Sequence, residues 1–308
     1  MFYAKLMENE EIKYAPIVVF AFNRLDTLRQ SIASLLCNSE AEQSDLYVFV
    51  DGARTEKEGE AAQVEEVKAY VKTITGFRTL HYEFADHNKG LGNSIISGVT
   101  SVINSHGTAI IIEDDLIVAP NFLWFMNEGL KRYQHKKQVF SVCGYNNIVQ
   151  CPDDYHADAY FCTRSSSWGW ATWQDRWEAV DWQLSDWTEH KKQSTAFNKW
   201  GGSDCFKLLN DWHCGKNRSW AIRFCYTQFL QNGVSLFPIR SLVRNDGFDG
   251  RGTNCKAWSR FKYDFDNRGL KNLCLPEDIS INKTLQKEAM KYHSIAQRIY
   301  SRLMYLLH

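Results

Sequence analysis

The chain has 308 residues, of which 44% are hydrophobic and 23% charged, a composition typical of a globular protein with one or two domains. Lys and Arg together number 36, as do Asp and Glu, so the charge gives no indication of a nucleic-acid partner. Nine scattered cysteines without a C-x-x-C pair argue against a disulfide framework and against a structural zinc site. The sequence also shows no signal peptide and no long apolar run, and together these features predict a cytoplasmic protein.

The first half of the chain alternates predicted strands with predicted helices. Each strand is a short apolar or β-branched run, and polar residues or glycines separate it from the helix that follows. This β-α-β alternation predicts a parallel sheet with right-handed crossovers. The predicted strands are residues 16–22, 46–50, 79–84 and 109–113, and the predicted helices between them are residues 26–37, 57–74 and 91–104.

Polar residues and glycines lie at or directly after the ends of these strands. Because the carboxyl ends of parallel strands meet at one edge of a sheet, these residues are expected to gather there, where open α/β sheets bind ligands. We therefore predict a nucleotide site at this edge. Its candidate residues are Asn23, Arg24, Asp51, Gly52, Asn88, Gly90, Glu113, Asp114 and Asp115.

The most informative stretch is the apolar run 109–112 followed by Glu113, Asp114 and Asp115. Three adjacent carboxylates repel one another and lose hydration at the edge of a core, so they need a cation or hydrogen-bond donors. Mg²⁺ and Mn²⁺ prefer oxygen ligands and are often held by one or two carboxylates together with substrate phosphates. The triplet therefore predicts a divalent metal bound with a diphosphate, and the alternative is a solvated acidic turn.

The glycines of the 88–92 loop match neither of the two familiar phosphate-binding motifs. Gly90 and Gly92 are not part of a G-x-G-x-x-G sequence, and the chain contains no G-x-x-x-x-G-K-[ST]. This argues against a dinucleotide site of the usual kind and against a P-loop. The alternative for these glycines is a helix start that needs a tight backbone.

The second half of the chain is rich in tryptophan. Trp170, Trp173 and Trp177 are spaced i, i+3 and i+7, which predicts one aromatic face on a helix. Most such rings belong to the core, but one or two are expected to line a pocket for a second substrate. The candidates for this contact are Trp168, Trp170 and Trp220.

Further elements are predicted around this tryptophan-rich region. Residues 244–254 contain Arg244, Arg251 and three glycines, which indicates either a loop that orders on a ligand or a plain surface loop. The predicted helices are residues 122–133 and 220–231, and the predicted strands are residues 139–145 and 235–238.

The C-terminal residues 282–308 predict a helix with a basic stripe beside an apolar stripe. Such a helix either lies on an anionic membrane surface or packs against its own domain, and we favour packing. The basic residues are Lys287, Lys291 and Arg298, and the apolar residues are Ile295, Ile299, Leu303 and Leu306.

These motifs resemble those of a known enzyme family. Residues 112–122, with the sequence IEDDLIVAPNF, resemble the acidic strand and turn of the N-acetylglucosaminyltransferase I family. Residues 167–173 are the second specific part of the match to that family. Residues 219–223 and 245–252 resemble bacterial glycosyltransferases that build polysaccharides, and the whole match spans about residues 15–260. The resemblance implies a GT-A fold, that is, a Rossmann-like, mostly parallel α/β sheet flanked by helices.

The resemblance also implies an activity. The chain would be a metal-dependent, inverting glycosyltransferase that uses a nucleotide-sugar donor, a UDP-sugar, and a saccharide or lipid-linked saccharide acceptor in cell-surface polysaccharide or O-antigen synthesis. The resemblance implies that Asp115 holds Mn²⁺ or Mg²⁺ and that Glu113 and Asp114 contact the ribose and sugar. Asn23, Arg24 and Asp51 would lie around the base and ribose. Arg244 and the loop after it would contact the diphosphate.

The sequence departs from the family pattern where a general base is expected. Bacterial members often carry an acid directly before S-W-A-I-R, whereas this chain has Arg218, and Asn254 replaces a histidine further along. Asp211 becomes the candidate base because its Asn-Asp-Trp resembles the Asp-Asp-Trp of the Golgi enzymes. Its alternative role is a capping acid at a helix end, and Asp175 and Asp181 are the competing acids.

The chain is expected to have three regions. Residues 1–150 would bind the nucleotide-sugar, residues 151–260 would form the acceptor-binding and catalytic half of the same domain, and residues 261–308 would be a helical extension. Two other functions stay open. A nucleotidyltransferase would need a basic, glycine-rich loop near the first strand, where residues 22–26 lack glycine, and a non-catalytic carbohydrate-binding relative would tolerate Arg218.

Overall fold

A computed structural model gives the fold for residues 14–248 and 261–307, without the side chains of 305–307. Arg251 and Asn254 therefore lie outside the described residues. An eight-stranded sheet forms the centre of the protein. Its strands are β1 (Ile17–Ala21), β2 (Asp45–Val50), β3 (Thr79–Phe84), β4 (Thr108–Glu113), β6 (Val139–Cys143), β7 (Ala159–Cys162), β8 (Trp170–Trp173) and β9 (Val234–Pro238). A second, two-stranded sheet pairs β5 (Leu116–Val118) with β10 (Val243–Asn245).

The order of the large sheet is β3-β2-β1-β4-β8-β6-β9-β7. β1, β2, β3, β4, β6 and β9 run in one direction, and β8 and β7 run in the other. Every residue of β1 is buried because helices cover both faces of the sheet. The fold class predicted from the sequence, a mostly parallel α/β sheet flanked by helices, is confirmed.

Three helices cover the parallel strands, and the strand residues alternate between them. Ile17 and Val19 pack on the side of α1 (Leu25–Leu36) and α2 (Glu60–Val71). Val18 and Phe20 pack on the opposite side, against α3 (Leu91–His106). This alternation follows from the two-residue period of a strand, and it places the apolar residues of β1 in both cores.

The predicted aromatic helix face is wrong. Trp170 and Trp173 lie on β8, which pairs antiparallel with β4 and β6, and only Trp177 is helical, in α5 (Gln174–Glu178). On a strand, residues three apart point to opposite faces, so Trp170 and Trp173 enter different core clusters. Hydrogen bonding to two neighbouring strands overrides the helical spacing of the sequence.

The remaining helices pack around the far end of the sheet. A separate core cluster, which includes Phe197, Leu209 and Tyr226, holds three of them together. The helix predicted at 122–133 is confirmed, and the one predicted at 220–231 is one residue shorter at each end. These helices are α4 (Phe122–Tyr133), α6 (Trp187–Lys192), α7 (Ser194–Gly201), α8 (Cys205–His213) and α9 (Ala221–Leu230).

The C-terminal stretch forms two helices instead of the one predicted, α10 (Lys283–Lys291) and α11 (Ile295–Leu307). α10 packs against β7 through buried Leu285 and Ala289, so the predicted packing holds for this helix. In α11, however, Ile295, Ile299 and Leu303 are 63%, 55% and 55% exposed. Each helix within residues 14–248 and 261–307 is too short or too polar to cross a bilayer.

Candidate active site

Three carboxylates and one arginine lie together at the carboxyl edge of the sheet. Glu113 ends β4, and Asp114 and Asp115 form the buried turn into β5. Arg24 follows β1, the neighbouring strand, and its Nη2 donates to Asp114 Oδ1 at 2.5 Å and to Asp115 Oδ2 at 2.8 Å. Phe22 adds a backbone N–H to Asp114 Oδ2 at 3.3 Å. The cluster therefore has a single positive charge for three acids.

This shortage of positive charge appears in the pKa values. Burial, together with the charges of Asp115 and Asp114, raises the pKa of Glu113 to about 8, although Arg24 opposes the rise. Burial also raises the pKa of Asp114 to about 6, against the effect of Arg24. Burial lowers the pKa of Arg24, but Asp114 and Asp115 outweigh it and raise that pKa overall. Such a cluster favours an additional cation.

The donor set suits a metal that binds together with a ligand. Within the two described ranges, no group of three or more His, Cys, Asp or Glu side chains is arranged to hold a metal ion. Mg²⁺ and Mn²⁺ often take one or two carboxylates and complete their shell with phosphate oxygens, which Asp115 would allow. The backbone also approaches this carboxylate closely, because a Cβ on Gly247 would lie 2.2 Å from Asp115 Oδ2.

Asp51, Gly52, Asn88 and Gly90 come together at the same edge of the sheet. The Asp51 carboxylate accepts the backbone N–H groups of Gly52 and Gly90, each at 2.9 Å, and Asn88 Nδ2 donates to the Gly52 carbonyl at 2.8 Å. A Cβ on Gly52 would lie 2.4 Å from the carbonyl carbon of His87, so only glycine fits. These bonds fix the loop that begins α3, and a nucleotide role for the four residues stays a prediction.

Asn23 and Arg244 are turned toward local partners. Asn23 Nδ2 donates to Gln63 Oε1 at 3.1 Å. Arg244, on β10, donates from Nε and Nη2 to the two carboxylate oxygens of Asp246 at 2.7 and 2.8 Å. Neither side chain hydrogen-bonds to the acid cluster in the described part of the chain. The pair uses two of the five N–H donors of the guanidinium, so it does not prevent contact between Arg244 and a diphosphate.

Arg218 lies at this site, although the sequence indicated only that it replaces an acid. Its carbonyl oxygen is 2.3 Å from the position of a Cβ on Gly92, and its Nη1 is 3.3 Å from that of a Cβ on Gly90. The side chain is exposed and makes no hydrogen bond or ion pair with another described residue. The two glycines of the 88–92 loop were the one signal of this close contact.

Of the three candidate acceptor tryptophans, Trp168 is the most accessible. Trp170 and Trp220 are only 1% and 6% exposed, and their rings stack in the core with centroids 4.7 Å apart. Trp168 is half-buried and lines a cavity of about 210 Å³. In this arrangement of side chains, a bound saccharide would therefore contact Trp168 and not the other two rings.

Asp211 lies within α8, where its carboxylate forms an ion pair with Lys207 one turn earlier. Its backbone carbonyl accepts the N–H of Lys216 at 2.7 Å, so the main chain of this residue helps to close the end of the helix. Both competing acids also have partners. Asp175 binds Arg176 at 2.6 Å, and Asp181 accepts backbone N–H groups from the turn that follows it.

Replacing Glu113 with Gln should flatten the dependence of stability on pH. The raised pKa means that the folded state holds this proton more tightly than the unfolded state does. Its stabilising contribution is therefore full below the ordinary pKa of 4.5 and is lost as pH rises through about 8. One proton changes the free energy of unfolding by at most about 1.4 kcal/mol per pH unit.

Chemical denaturation at several pH values between 4.5 and 8, without divalent metal, would measure this slope. Glu58→Gln, at an exposed position before α2, is the matched control and should keep the wild-type slope. An unchanged slope in Glu113→Gln would show that the Glu113 carboxyl titrates alike in both states.

Comparison with known proteins supports one resemblance. No model of a known protein family matches the chain. The chain is 22% identical over 209 residues to alpha-1,3-mannosyl-glycoprotein 2-beta-N-acetylglucosaminyltransferase of Arabidopsis thaliana. The match covers 61% of this chain and 45% of that protein, so the chain spans less than half of this relative's length.

Solved structures add only distant similarities. A mannosyltransferase from Pyrobaculum calidifontis in complex with GDP-Man and Mn²⁺ is 11% identical, with 54% of this chain and 46% of that chain covered and a TM-score of 0.34. A UDP-glucose pyrophosphorylase complexed with UDP-glucose is 11% identical, with 73% and 90% covered and a TM-score of 0.38. TM-scores this low assign neither a fold nor an activity. The sequence match nevertheless confirms the predicted resemblance: the chain is similar to the N-acetylglucosaminyltransferase I family of glycosyltransferases.

Proposed function

We propose that the protein is a glycosyltransferase that moves a sugar from a nucleotide-diphosphate donor to a saccharide acceptor with the help of a divalent metal. The observation that carries the proposal is the cluster of Glu113, Asp114 and Asp115 around Arg24 at the carboxyl edge of the sheet. Its unbalanced negative charge suits a metal–diphosphate ligand. The 22% identity to an N-acetylglucosaminyltransferase supports the same activity.

The acid cluster would bind the donor. Asp115 would hold Mn²⁺ or Mg²⁺, which when bound neutralises the charge that develops on the leaving diphosphate. Arg24 holds the carboxylates of Asp114 and Asp115 in place, and Glu113 and Asp114 would contact the ribose and sugar. These bonds preorganise the oxygens before the donor arrives, which lowers the cost of binding.

Further groups at this edge would complete the donor site. Arg244 would add positive charge at the diphosphate, and the exposed Arg218 guanidinium is a second source of such charge. Asn23 and Asp51 would lie beside the base and ribose, near Gly52, Asn88 and Gly90. Asp51 already uses both carboxylate oxygens on backbone N–H groups, so it would act by shaping the loop.

Asp211 is the proposed general base. It would accept the proton of the acceptor hydroxyl as that oxygen attacks the anomeric carbon, and a single displacement of this kind inverts the anomeric configuration. Its carboxylate forms an ion pair with Lys207, one turn earlier on α8. Leu208, one turn earlier on α8, lines the cavity that Trp168 also lines, which supports a position near the acceptor.

The substrates are proposed from the resemblance alone, and the compartment from the nine scattered cysteines without a C-x-x-C pair. The donor would be a UDP-sugar, and the acceptor a saccharide or lipid-linked saccharide of a cell-surface polysaccharide such as an O-antigen. The protein would act in the cytoplasm, at the inner face of the membrane.

Thermal-shift measurements with UDP, GDP, CDP and dTDP sugars, with and without Mn²⁺, would test the proposed function. A ligand that binds the native state raises its stability in proportion to RT ln(1 + [L]/Kd), so the true donor should raise Tm only with metal present. The absence of a shift with every nucleotide sugar would contradict the proposal.

Product analysis separates the two rival functions. A glycosyltransferase transfers or slowly hydrolyses the donor sugar when Mn²⁺ is added. A nucleotidyltransferase would instead release pyrophosphate from a nucleoside triphosphate and a sugar phosphate. A carbohydrate-binding protein without activity would do neither, although it would still bind saccharides.

We also propose that α11 contacts the cytoplasmic face of a membrane. The exposed stripe of Ile295, Ile299 and Leu303 shares α11 with the exposed basic Arg302, and the exposed Lys291, which pairs with Glu288, ends the preceding helix α10. An anionic bilayer complements both features, because the headgroups attract the basic groups while the apolar side chains enter the interface.

Ile299→Ser combined with Leu303→Ser should reduce partition onto phosphatidylglycerol vesicles by more than about tenfold, since two large apolar side chains lose their burial. Vesicle co-sedimentation measures this effect. Leu230→Ser, which changes a leucine 47% exposed on another face, should leave the partition unchanged. Equal partition of the wild type and the double variant would exclude membrane contact through α11.

A further inference from the structure

The cavity beside Trp168 is lined by several distant parts of the chain. One wall comes from the segment before β8 and from the loop after β6, another comes from α10 and the turn after it, and residues of β7, α8 and α9 also contribute. The walls combine aromatic, apolar and small polar side chains, which is the usual make-up of a ligand pocket. The lining residues include Asn147, Ser167, Trp168, Phe261, Met290 and His293.

The wall formed by α10 is fixed to the rest of the protein. Gln286 accepts the backbone N–H of Thr163 at 3.2 Å and donates to Thr163 Oγ1 at 2.7 Å. At the other end of the wall, Ser203 Oγ donates to the carbonyl oxygen of His293 at 2.9 Å. Arg298 then donates to the carbonyl of Ser203 at 3.0 Å. The C-terminal helices are therefore a structural part of the cavity.

Asp204 lies next to His293, and Arg164 pairs with Asp204. Its Nδ1 lies 3.9 Å from Asp204 Oδ2, and Arg164 donates to Asp204 Oδ1 at 2.7 Å. Burial raises the pKa of Asp204, but Arg164 and His293 outweigh it and hold that pKa well below its usual range. The carboxylate is therefore charged throughout the physiological range, and it lies beside the imidazole ring at the cavity wall.

The polar groups on the opposite wall have unused hydrogen-bonding capacity. Asn147 is buried, its Oδ1 accepts the hydroxyl of Tyr145 at 3.1 Å, and its Nδ2 makes no hydrogen bond to a described residue. Ser167 makes no side-chain hydrogen bond within the described ranges either. An amide N–H donor and a hydroxyl on a cavity wall suit a ligand that is rich in hydroxyl groups.

The cavity lies beside the acid cluster. The antiparallel register of β4 and β8, with Ile111 opposite Trp170, places Trp168 level with Glu113 at the same edge of the sheet. The ring of Trp168 also contacts Phe248, at 5.6 Å between centroids, and the preceding residue, Gly247, packs against Asp115. Trp168 and the Gly247–Phe248 segment therefore connect the cavity to the carboxylate proposed to hold the metal.

We propose that this cavity binds one sugar residue of the acceptor, with the sugar ring against Trp168 and hydroxyl groups at Asn147 and Ser167, an inference that rests on the proposed function. The volume of about 210 Å³ is below the ~300–1,000 Å³ of pockets for drug-sized ligands, so it accommodates one monosaccharide unit. Met290 and His293 of the C-terminal region bound the far side. They therefore determine which sugar fits.

Saturation-transfer NMR with the full chain and no donor tests this inference. The probes are the methyl glycosides of glucose, galactose, mannose and N-acetylglucosamine at millimolar concentration, each with and without UDP and Mn²⁺. At least one should bind, and Trp168→Leu should weaken it roughly three- to tenfold, the usual worth of one aromatic contact. Met290→Trp, which fills the cavity, should abolish binding.

Trp187→Leu is the matched control, because Trp187 is also half-buried but stacks on His213 away from the cavity. Circular dichroism of each variant shows whether it is folded, and Asn147→Ala is a smaller change that leaves the aromatic wall intact. No binding of any glycoside, or equal binding by the wild type, Trp168→Leu and Met290→Trp, would overturn the inference.

The outcomes also separate this inference from the proposed function. Nucleotide-sugar binding with Mn²⁺ but no glycoside in the cavity would contradict the inference alone. Glycoside binding that is lost in Met290→Trp, without any nucleotide-sugar binding, would support the cavity and contradict the glycosyltransferase.

Discussion

Replacing Asp115 with Asn should abolish the metal-dependent part of nucleotide-diphosphate binding while the protein stays folded. Asn keeps the shape of the side chain and one oxygen, but it removes the charge that a divalent metal requires. Asp115 loses only its share of the Arg24 guanidinium, which keeps its bond to Asp114 at 2.5 Å. Calorimetric titration of UDP with and without Mn²⁺ measures the effect as a ratio of two affinities.

Asp114→Asn is the informative companion to this variant. Asp114 is proposed to contact the donor and not the metal, so its loss should weaken binding while the ratio with and without Mn²⁺ stays near that of the wild type. Unchanged UDP–Mn²⁺ affinity in Asp115→Asn would contradict the assignment of Asp115 as the metal ligand. Loss of the Mn²⁺ effect in Asp114→Asn alone would transfer the assignment to Asp114.

Replacing Asp211 with Asn should reduce sugar transfer by at least about a hundredfold, because general base catalysis contributes roughly 10²–10⁴-fold. Donor affinity should stay near that of the wild type, since Asp211 lies on α8 and not in the acid cluster. Initial rates with a saturating donor, together with donor affinity, separate these two effects.

Lys207→Met is the control for the Asp211 variant, because it removes the ion pair and keeps the acid. An exposed pair of this kind contributes little to stability, so both variants should fold. If Asp211→Asn transfers sugar at nearly the wild-type rate, Asp211 is structural, and Asp175 and Asp181 become the next candidates.

The first half of the fold was predictable because its signals are local. Strands β1, β2 and β4 are mainly apolar runs, β3 mixes apolar and polar residues, and each strand boundary lies within one residue of its predicted position. The error at Trp170 and Trp173 has a different origin. A spacing of three fits both a helix face and two faces of a strand, and the choice was made by hydrogen bonds to β4 and β6, which are distant in sequence.

The candidate site was only partly predictable for the same reason. Residues that follow neighbouring strands were expected to share an edge, and Arg24, Asp114 and Asp115 do. Gly90 and Gly92 were the one sign in the sequence of a close approach at the start of α3, and they did not identify Arg218 as the partner. No pattern indicated that α10 supplies one wall of the cavity. Both contacts join segments more than 100 residues apart.

The antiparallel strand β8 also determines how the chain can be divided. It lies between β4 and β6, so a fragment that ends at residue 150 would contain both neighbours without the strand that joins them. The apolar edge of β4, with Ile110 and Ile111, would then be open to pairing with other molecules, and such edges promote aggregation. The two halves should therefore be insoluble when they are expressed separately.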